Sequence, residues 1–180
     1  MEIIDVFIKG LKIIKPKIFG DERGDFFESY NQEQFINAGI ADTFLQDNQS
    51  ISKKGVLRGL HFQTGNFAQA KLVRVIKGAV IDVAVDLRRN SATFGKHFAI
   101  ELNDHNNLIF YIPIGFAHGF ISLEEDTIFT YKCSALYNKL SEGGIIWNDS
   151  TLAIDWGHIH PVISDKDALL PAFYPQMYLY

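Results

Sequence analysis

Three observations predict an all-β body, a sandwich or barrel. Aromatic residues reach 13% of the chain, with 15 phenylalanines, and such side chains pack well on pleated sheets. Between residues 44 and 148, short apolar stretches recur, some with strict period-two alternation. Turn residues separate these stretches at the spacing of a strand-rich domain.

The elements follow in order. Met1 to Gly10 mixes Glu2, Asp5 and Lys9 into apolar residues and lacks the basic start and apolar run of a secretory signal. Phe19-Gly20-Asp21-Glu22-Arg23-Gly24 is turn-like, and Asn31 to Asn37 reads as a short helix ended near Gly39. Lys71 to Ile76 is a strand closed by Lys77-Gly78. In Val80 to Leu87, one face carries Ile81, Val83, Val85 and Leu87; the other carries Val80, Asp82, Ala84 and Asp86. Phe98 to Leu102, Leu108 to Ile112, Ala117 to Leu123 and Thr127 to Ala135 continue the pattern. A short C-terminal helix is expected to begin near Asp165 and end before Pro171. With no repeat, low-complexity tract or linker, residues 1–180 are expected to form one domain.

The net charge of −4 supplies no field that would draw the whole molecule to nucleic acid or anionic lipid. No apolar run approaches a membrane span. Cys133 is the only cysteine, which excludes an internal disulfide and fits a reducing cytoplasm, the expected location.

Two separated segments carry the chemistry. Gly55-Val56-Leu57-Arg58-Gly59-Leu60-His61 fits the opening of a motif that runs Gly, five residues, His, one residue, His, a short gap, Glu, six residues, Gly. Pro113-Ile114-Gly115-Phe116-Ala117-His118 matches a second, Pro-x-Gly-x-x-His. Together they resemble the paired metal-ligand motifs of cupins. The resemblance implies a cupin-type double-stranded β-helix, a jelly-roll barrel, with an N-terminal arm and a short C-terminal helix.

The ligand positions are altered. Gln63 stands where the second His belongs, and Lys71 stands in the region of the Glu, six residues before Gly78. A divalent cation wants neutral imidazoles and an anionic carboxylate; an ammonium would repel it. No metal and no cofactor are expected. His61 is then free to act as a general base, its common role near neutral pH.

A longer series of motifs completes the picture: Arg23-Gly24-Asp25-Phe26-Phe27-Glu28, Gln46-Asp47-Asn48, Val56 to Gln63, Lys71, Pro113 to Phe120, Tyr131-Lys132-Cys133, Glu142 to Asp149, and Ser164 to Asp167. In this order they resemble the dTDP-4-dehydrorhamnose 3,5-epimerase family over about residues 15–172. Ser150 and Gly157 depart from a frequent Pro, away from the chemistry. The resemblance implies His61 as base, Asp167 as the carboxylate that orients it, Tyr131 as the acid on the opposite face, and Lys71 as stabiliser of the enolate oxygen. It also implies a substrate site lined by Arg23, Phe26, Glu28, Gln46, Asn48, Arg58, Gln63, His118, Glu142 and Lys166. The implied substrate is a dTDP-4-keto-6-deoxyhexose, inverted at C3 and C5, and the implied assembly is a homodimer whose arm crosses to its partner.

Alternatives stay open at this point. Tyr131 alternates with Phe129 and Cys133, so all three fit a core, and Tyr137 competes as proton donor. Asp165 and Asp82 rival Asp167 as partner of His61. His118 suits a structural hydrogen bond as well as a substrate contact. Alternation puts Arg58 on the opposite face from His61, unless Gly59 makes a bulge or Arg58 serves a ligand crossing an interface. A monofunctional 3- or 5-epimerase would carry the same base, acid and lysine. A 3,4-ketoisomerase, a non-catalytic sugar-binding barrel and a metal-dependent dioxygenase are more distant rivals.

Overall fold

Alternating strands expose two faces, and each face must be covered. A computed structural model describes residues 1–157, 160–174 and 176–177; the remainder of the expected 1–180 domain lies outside the described residues. Among these, the strands are β1 (Glu2–Asp5), β2 (Lys12–Lys15), β3 (Phe19–Asp21), β4 (Gly24–Phe26), β5 (Gln46–Ser52), β6 (Leu57–Gln63), β7 (Lys71–Lys77), β8 (Ala79–Asp86), β9 (His97–Asn103), β10 (Ile109–Ile112), β11 (Phe116–Ser122), β12 (Thr127–Cys133) and β13 (Glu142–Gly144). The helices are α1 (Gln32–Asn37) and α2 (Asp165–Ala168).

The strands build a jelly-roll-like sandwich. One sheet has the order β1-β2-β10-β7-β12-β5 and the other β13-β6-β11-β8-β9, while β3 and β4 form a separate hairpin. Every pairing between named strands is antiparallel.

Three apolar layers result. Val73, Val75, Val80, Ala84, Phe110, Phe120 and Phe129 fill the space between the sheets. The outer face of the five-stranded sheet, including Val83, Val85 and Leu87, is covered by Ile145, Leu152, Trp156 and Met177. The outer face of the six-stranded sheet packs Leu72 and Ile109 against Phe35 of α1. The two faces read from Val80 to Leu87 therefore enter two different cores, and the face carrying Asp82 points between the sheets.

Both short helices are held by caps as well as packing. The Asn31 side chain accepts a hydrogen bond from the Gln34 N–H, and the Ser164 hydroxyl accepts one from the Asp167 N–H. Each such cap is worth about 1 kcal/mol. Asp149 ties the C-terminal cover down by accepting from the backbone N–H groups of Thr151, Leu152 and Phe173.

Candidate active site

The position of His61 depends on a local irregularity in β6. His61 pairs with His118, but Arg58 pairs with Phe120, so three steps along β6 match two along β11. This is the geometry of a β-bulge. Gly59 allows it: its φ is +130°, and a Cβ there would lie 2.5 Å from Gly119 Cα. The bulge brings Arg58 and His61 to the same cavity, which resolves the conflict posed by simple alternation.

That cavity, of about 380 Å³, adjoins a second of about 320 Å³, and Asn48, His61, Lys71 and Tyr131 line both. The six-stranded sheet contributes Asn48, Lys71 and Tyr131 from β5, β7 and β12, and the five-stranded sheet contributes His61 from β6. Base and acid candidates thus stand on opposite walls of one cleft. The first cavity adds Arg58, His118, Lys166 and Asp167; the second adds Gln46, Gln63, Tyr137 and Glu142.

His61 Nε2 lies 2.7 Å from Asp167 Oδ1. The other carboxylate oxygen accepts from the Gly59 N–H at 3.2 Å. Burial alone would raise the Asp167 pKa. The hydrogen bond and charge of His61, the Gly59 N–H and Lys166 outweigh it and hold the carboxyl below its ordinary range. An ionised Asp167 keeps the imidazole proton on Nε2 and leaves the Nδ1 lone pair available. Neither rival aspartate occupies this place. Asp82 instead meets His118 Nε2 at 2.9 Å, and Asp165 starts α2.

His118 is buried, at 6% side-chain exposure, against a fully buried Asp82. Burial pushes its pKa down, and nearby Lys71 and His61 add to this, although Asp82 pulls it up. It holds a structural hydrogen bond to Asp82 and also lines the cleft.

Lys71 opens β7 on the same face as Val73, and Cys133 of β12 is its register partner. Burial lowers its pKa, while Cys133, Asp82 and Glu142 act to raise it. Tyr131 reaches the cleft between Phe129, which is core, and Cys133, which lines the second cavity. Burial is the main reason its phenol pKa is raised, so the hydroxyl keeps its proton at neutral pH. Tyr137 donates to Glu142 Oε2 at 3.0 Å, and Lys166 Nζ donates to Glu142 Oε1 at 2.6 Å. These three side chains link the loop before β13 to α2 across the cleft.

Gln46 and Asn48 are joined by a 3.0 Å hydrogen bond, and the Asn48 amide points to Cys133 Sγ at 3.7 Å. Gln63 lines the second cavity, but its side chain is spent on protein groups. It donates to the carbonyls of Phe67 and Leu136 and accepts from the Asn138 N–H. Arg58 is anchored at Nε by the Ser52 hydroxyl at 3.3 Å.

Three predicted residues are not brought to the cleft. Arg23 pairs with Asp21 on the hairpin with 85% of its side chain exposed, Phe26 is 69% exposed, and Glu28 accepts from Asn31 and Gln34 beside α1. The cleft is also lined by Ser50, Gln69 and Phe120, to which no motif assigns a role. Alternation from Gln46 through Asn48 points to Ser50, whereas nothing local marks Gln69. Among the described residues, no three His, Cys, Asp or Glu side chains converge in a way that would hold a metal ion.

The family model described as dTDP-4-dehydrorhamnose 3,5-epimerase matches residues 5–174. The chain is similar to the dTDP-4-dehydrorhamnose 3,5-epimerase of Salmonella typhimurium, with 51% identity over 173 residues, 95% of this chain and 94% of that protein. Among solved structures, it is similar to the enzyme of that name from Elizabethkingia anophelis, with a TM-score of 0.94, 50% identity and 99% of each chain covered. It is also similar to a dTDP-6-deoxy-D-glucose-3,5-epimerase from Legionella pneumophila in complex with dTDP-4-keto-L-rhamnose, with a TM-score of 0.88, 46% identity, and 96% and 98% of the chains covered. With motif order, fold and cleft in agreement, this chain belongs to the dTDP-4-dehydrorhamnose 3,5-epimerase family.

Proposed function

We propose that the chain epimerises dTDP-4-dehydro-6-deoxy-D-glucose at C3 and C5 to give dTDP-4-dehydro-L-rhamnose. The observation that carries this reading is the cleft itself: an Asp-oriented histidine on one sheet and a protonated tyrosine on the other, with a lysine lining the same space. A proton next to a ketone is removable because the anion delocalises onto oxygen. His61 Nδ1 takes the proton from the ring carbon, and the C–H electron pair moves to the C4 oxygen. The Lys71 ammonium stabilises that oxygen. A fixed charge of this kind in a water-poor site contributes about 3 kcal/mol, as an oxyanion donor does. Tyr131 then protonates the carbon from the opposite face and the ketone re-forms. Solvent returns a proton to Tyr131 and removes one from His61 before the second carbon reacts. C3 and C5 flank C4 on either side, so one base serves both.

The reading is metal-free. Lys71 in the region of the cupin carboxylate, and Gln63 at the imidazole position with its amide spent on backbone groups, support it, and chelator treatment is expected to leave turnover unchanged. The working form is proposed to be a homodimer. Arg23, Phe26 and Glu28 lie on an exposed arm away from their own cleft, which suits them to complete a partner's nucleotide site. No described helix is long and apolar enough to cross a membrane. The proposed location is the cytoplasm, whose reducing conditions suit a single cysteine held as a buried free thiol. The test is proton NMR of the substrate with enzyme in deuterated water. Exchange and inversion at both C3 and C5 are expected; inversion at one carbon alone would reassign the chain as a monofunctional epimerase, and no exchange would remove the proposal.

A further inference from the structure

Side chains two apart on a strand share a face, so β5 turns Gln46, Asn48, Ser50 and Ser52 the same way. Three of these have polar partners. Gln46 bonds to Asn48 and to the Tyr137 N–H, Asn48 also reaches Cys133, and Ser52 holds Arg58. Ser50 differs. Its hydroxyl oxygen is the one buried side-chain polar atom among the described residues without a hydrogen-bond partner. Ser50 nevertheless lines the cavity that contains Arg58, His61, Lys71, His118 and Tyr131. Its register partner is Phe129, whose ring stacks on Phe120 at 4.0 Å. The cross-strand neighbour of Ser50 is therefore an apolar ring, and Asn48 and Ser52 on either side are bonded elsewhere.

An unpaired buried hydroxyl is unfavourable, and the penalty is relieved when a ligand supplies the missing partner. Rotation about the single χ1 bond moves the oxygen between staggered positions without moving the strand. We propose that Ser50 is a specificity-determining residue of the sugar subsite, its hydroxyl bonding to an oxygen of the hexose held between His61, Lys71 and Tyr131. This rests on the epimerase reading above. Ser50 adds a contact to the sugar rather than to the nucleotide, because it shares its cavity with the base, lysine and acid candidates.

Ser50→Ala tests the assignment. The variant loses no hydrogen bond within the protein, so its melting temperature should equal or exceed that of the wild type. Its kcat/KM for the 4-dehydro sugar nucleotide should fall roughly 3- to 10-fold, mainly through KM, the loss expected for one neutral hydrogen bond. Calorimetric affinity for dTDP alone should stay within about twofold. An unchanged kcat/KM overturns the proposal. So does a dTDP affinity weakened as much as KM, which would move the contact to the nucleotide, or a lowered melting temperature, which would make Ser50 structural. A wild-type enzyme that binds dTDP and turns over substrate, with a variant identical to it, sinks only this inference. Failure of the wild type in both assays sinks the epimerase reading and this inference with it.

Discussion

Among the described residues, two histidine–aspartate hydrogen bonds have nearly equal length, 2.7 Å for His61–Asp167 and 2.9 Å for His118–Asp82. Their settings separate them. His118 and Asp82 sit on adjacent strands of one sheet, paired through β11 and β8, and the carboxylate is sealed in the core. His61 is 29% exposed to the cleft, and its aspartate arrives from α2, 106 residues away. The first pair is part of the wall, whereas the second is suspended between two elements and opens on the cleft. A contact distance alone does not distinguish a structural histidine from a base; the exposure of the imidazole to the cleft does.

The comparison breaks most easily at His61. His61→Ala should lower turnover by about 10² to 10⁴-fold, the usual contribution of a general base, with substrate affinity retained within about tenfold. Steady-state kinetics beside a binding titration would show it, and near wild-type turnover would return His61 to the structural class. The next change tests the opposite wall. Tyr131→Phe keeps the packing and deletes only the hydroxyl, so His61 and Lys71 still enolise the substrate. In deuterated water the variant should exchange hydrogen at C3 or C5 while forming little inverted product. Normal inversion would transfer the acid role to Tyr137 or to a bound water.

For the buried pair, the loss should appear in stability. His118→Ala strands the Asp82 carboxylate in the core and should cost about 3 kcal/mol, read from denaturant unfolding. His61→Ala should cost less, because Asp167 keeps the Gly59 N–H and the nearby charge of Lys166. Equal losses in the two variants would erase the distinction.

The smallest effect is a pH dependence. Burial, the largest cause, depresses the His118 pKa below its ordinary value of about 6.5. The unfolded chain then binds more protons below that pH, so stability is full above about pH 6.5 and declines as pH falls. His97, also depressed mainly by burial, contributes with the same sign in the same window. His118→Gln keeps a donor for Asp82 but cannot titrate, so its melting temperature should fall less between pH 7 and 5. Parallel curves for variant and wild type would count against a titrating His118.

Much of this was legible in the chain because it depends on short-range order. The alternation from Val80 to Leu87 is a property of the extended backbone and survives any arrangement of neighbours. The caps at Asn31 and Ser164 act within three residues, so the helices fall where their sequences put them. Motif spacing marks His61 and Lys71, and the family resemblance adds Tyr131 and Asp167. Arg58 marks the limit of local order: strict alternation sends it away from His61, Gly59 permits a bulge that reverses this, and the register of β6 against β11 makes that bulge.

Residue type and local period are enough to set the β architecture, the altered ligand positions and the identity of the titratable groups. The tertiary structure alone decided which aspartate serves which histidine. Asp82, Asp165 and Asp167 are chemically the same, and their separation from His61 along the chain says nothing about distance through space. It also decided that Arg23, Phe26 and Glu28 stand apart from the cleft of their own chain, because the placement of an arm is set by packing and not by the residues it carries. The same is true of the lone hydroxyl of Ser50: a missing partner is a property of everything folded around a residue.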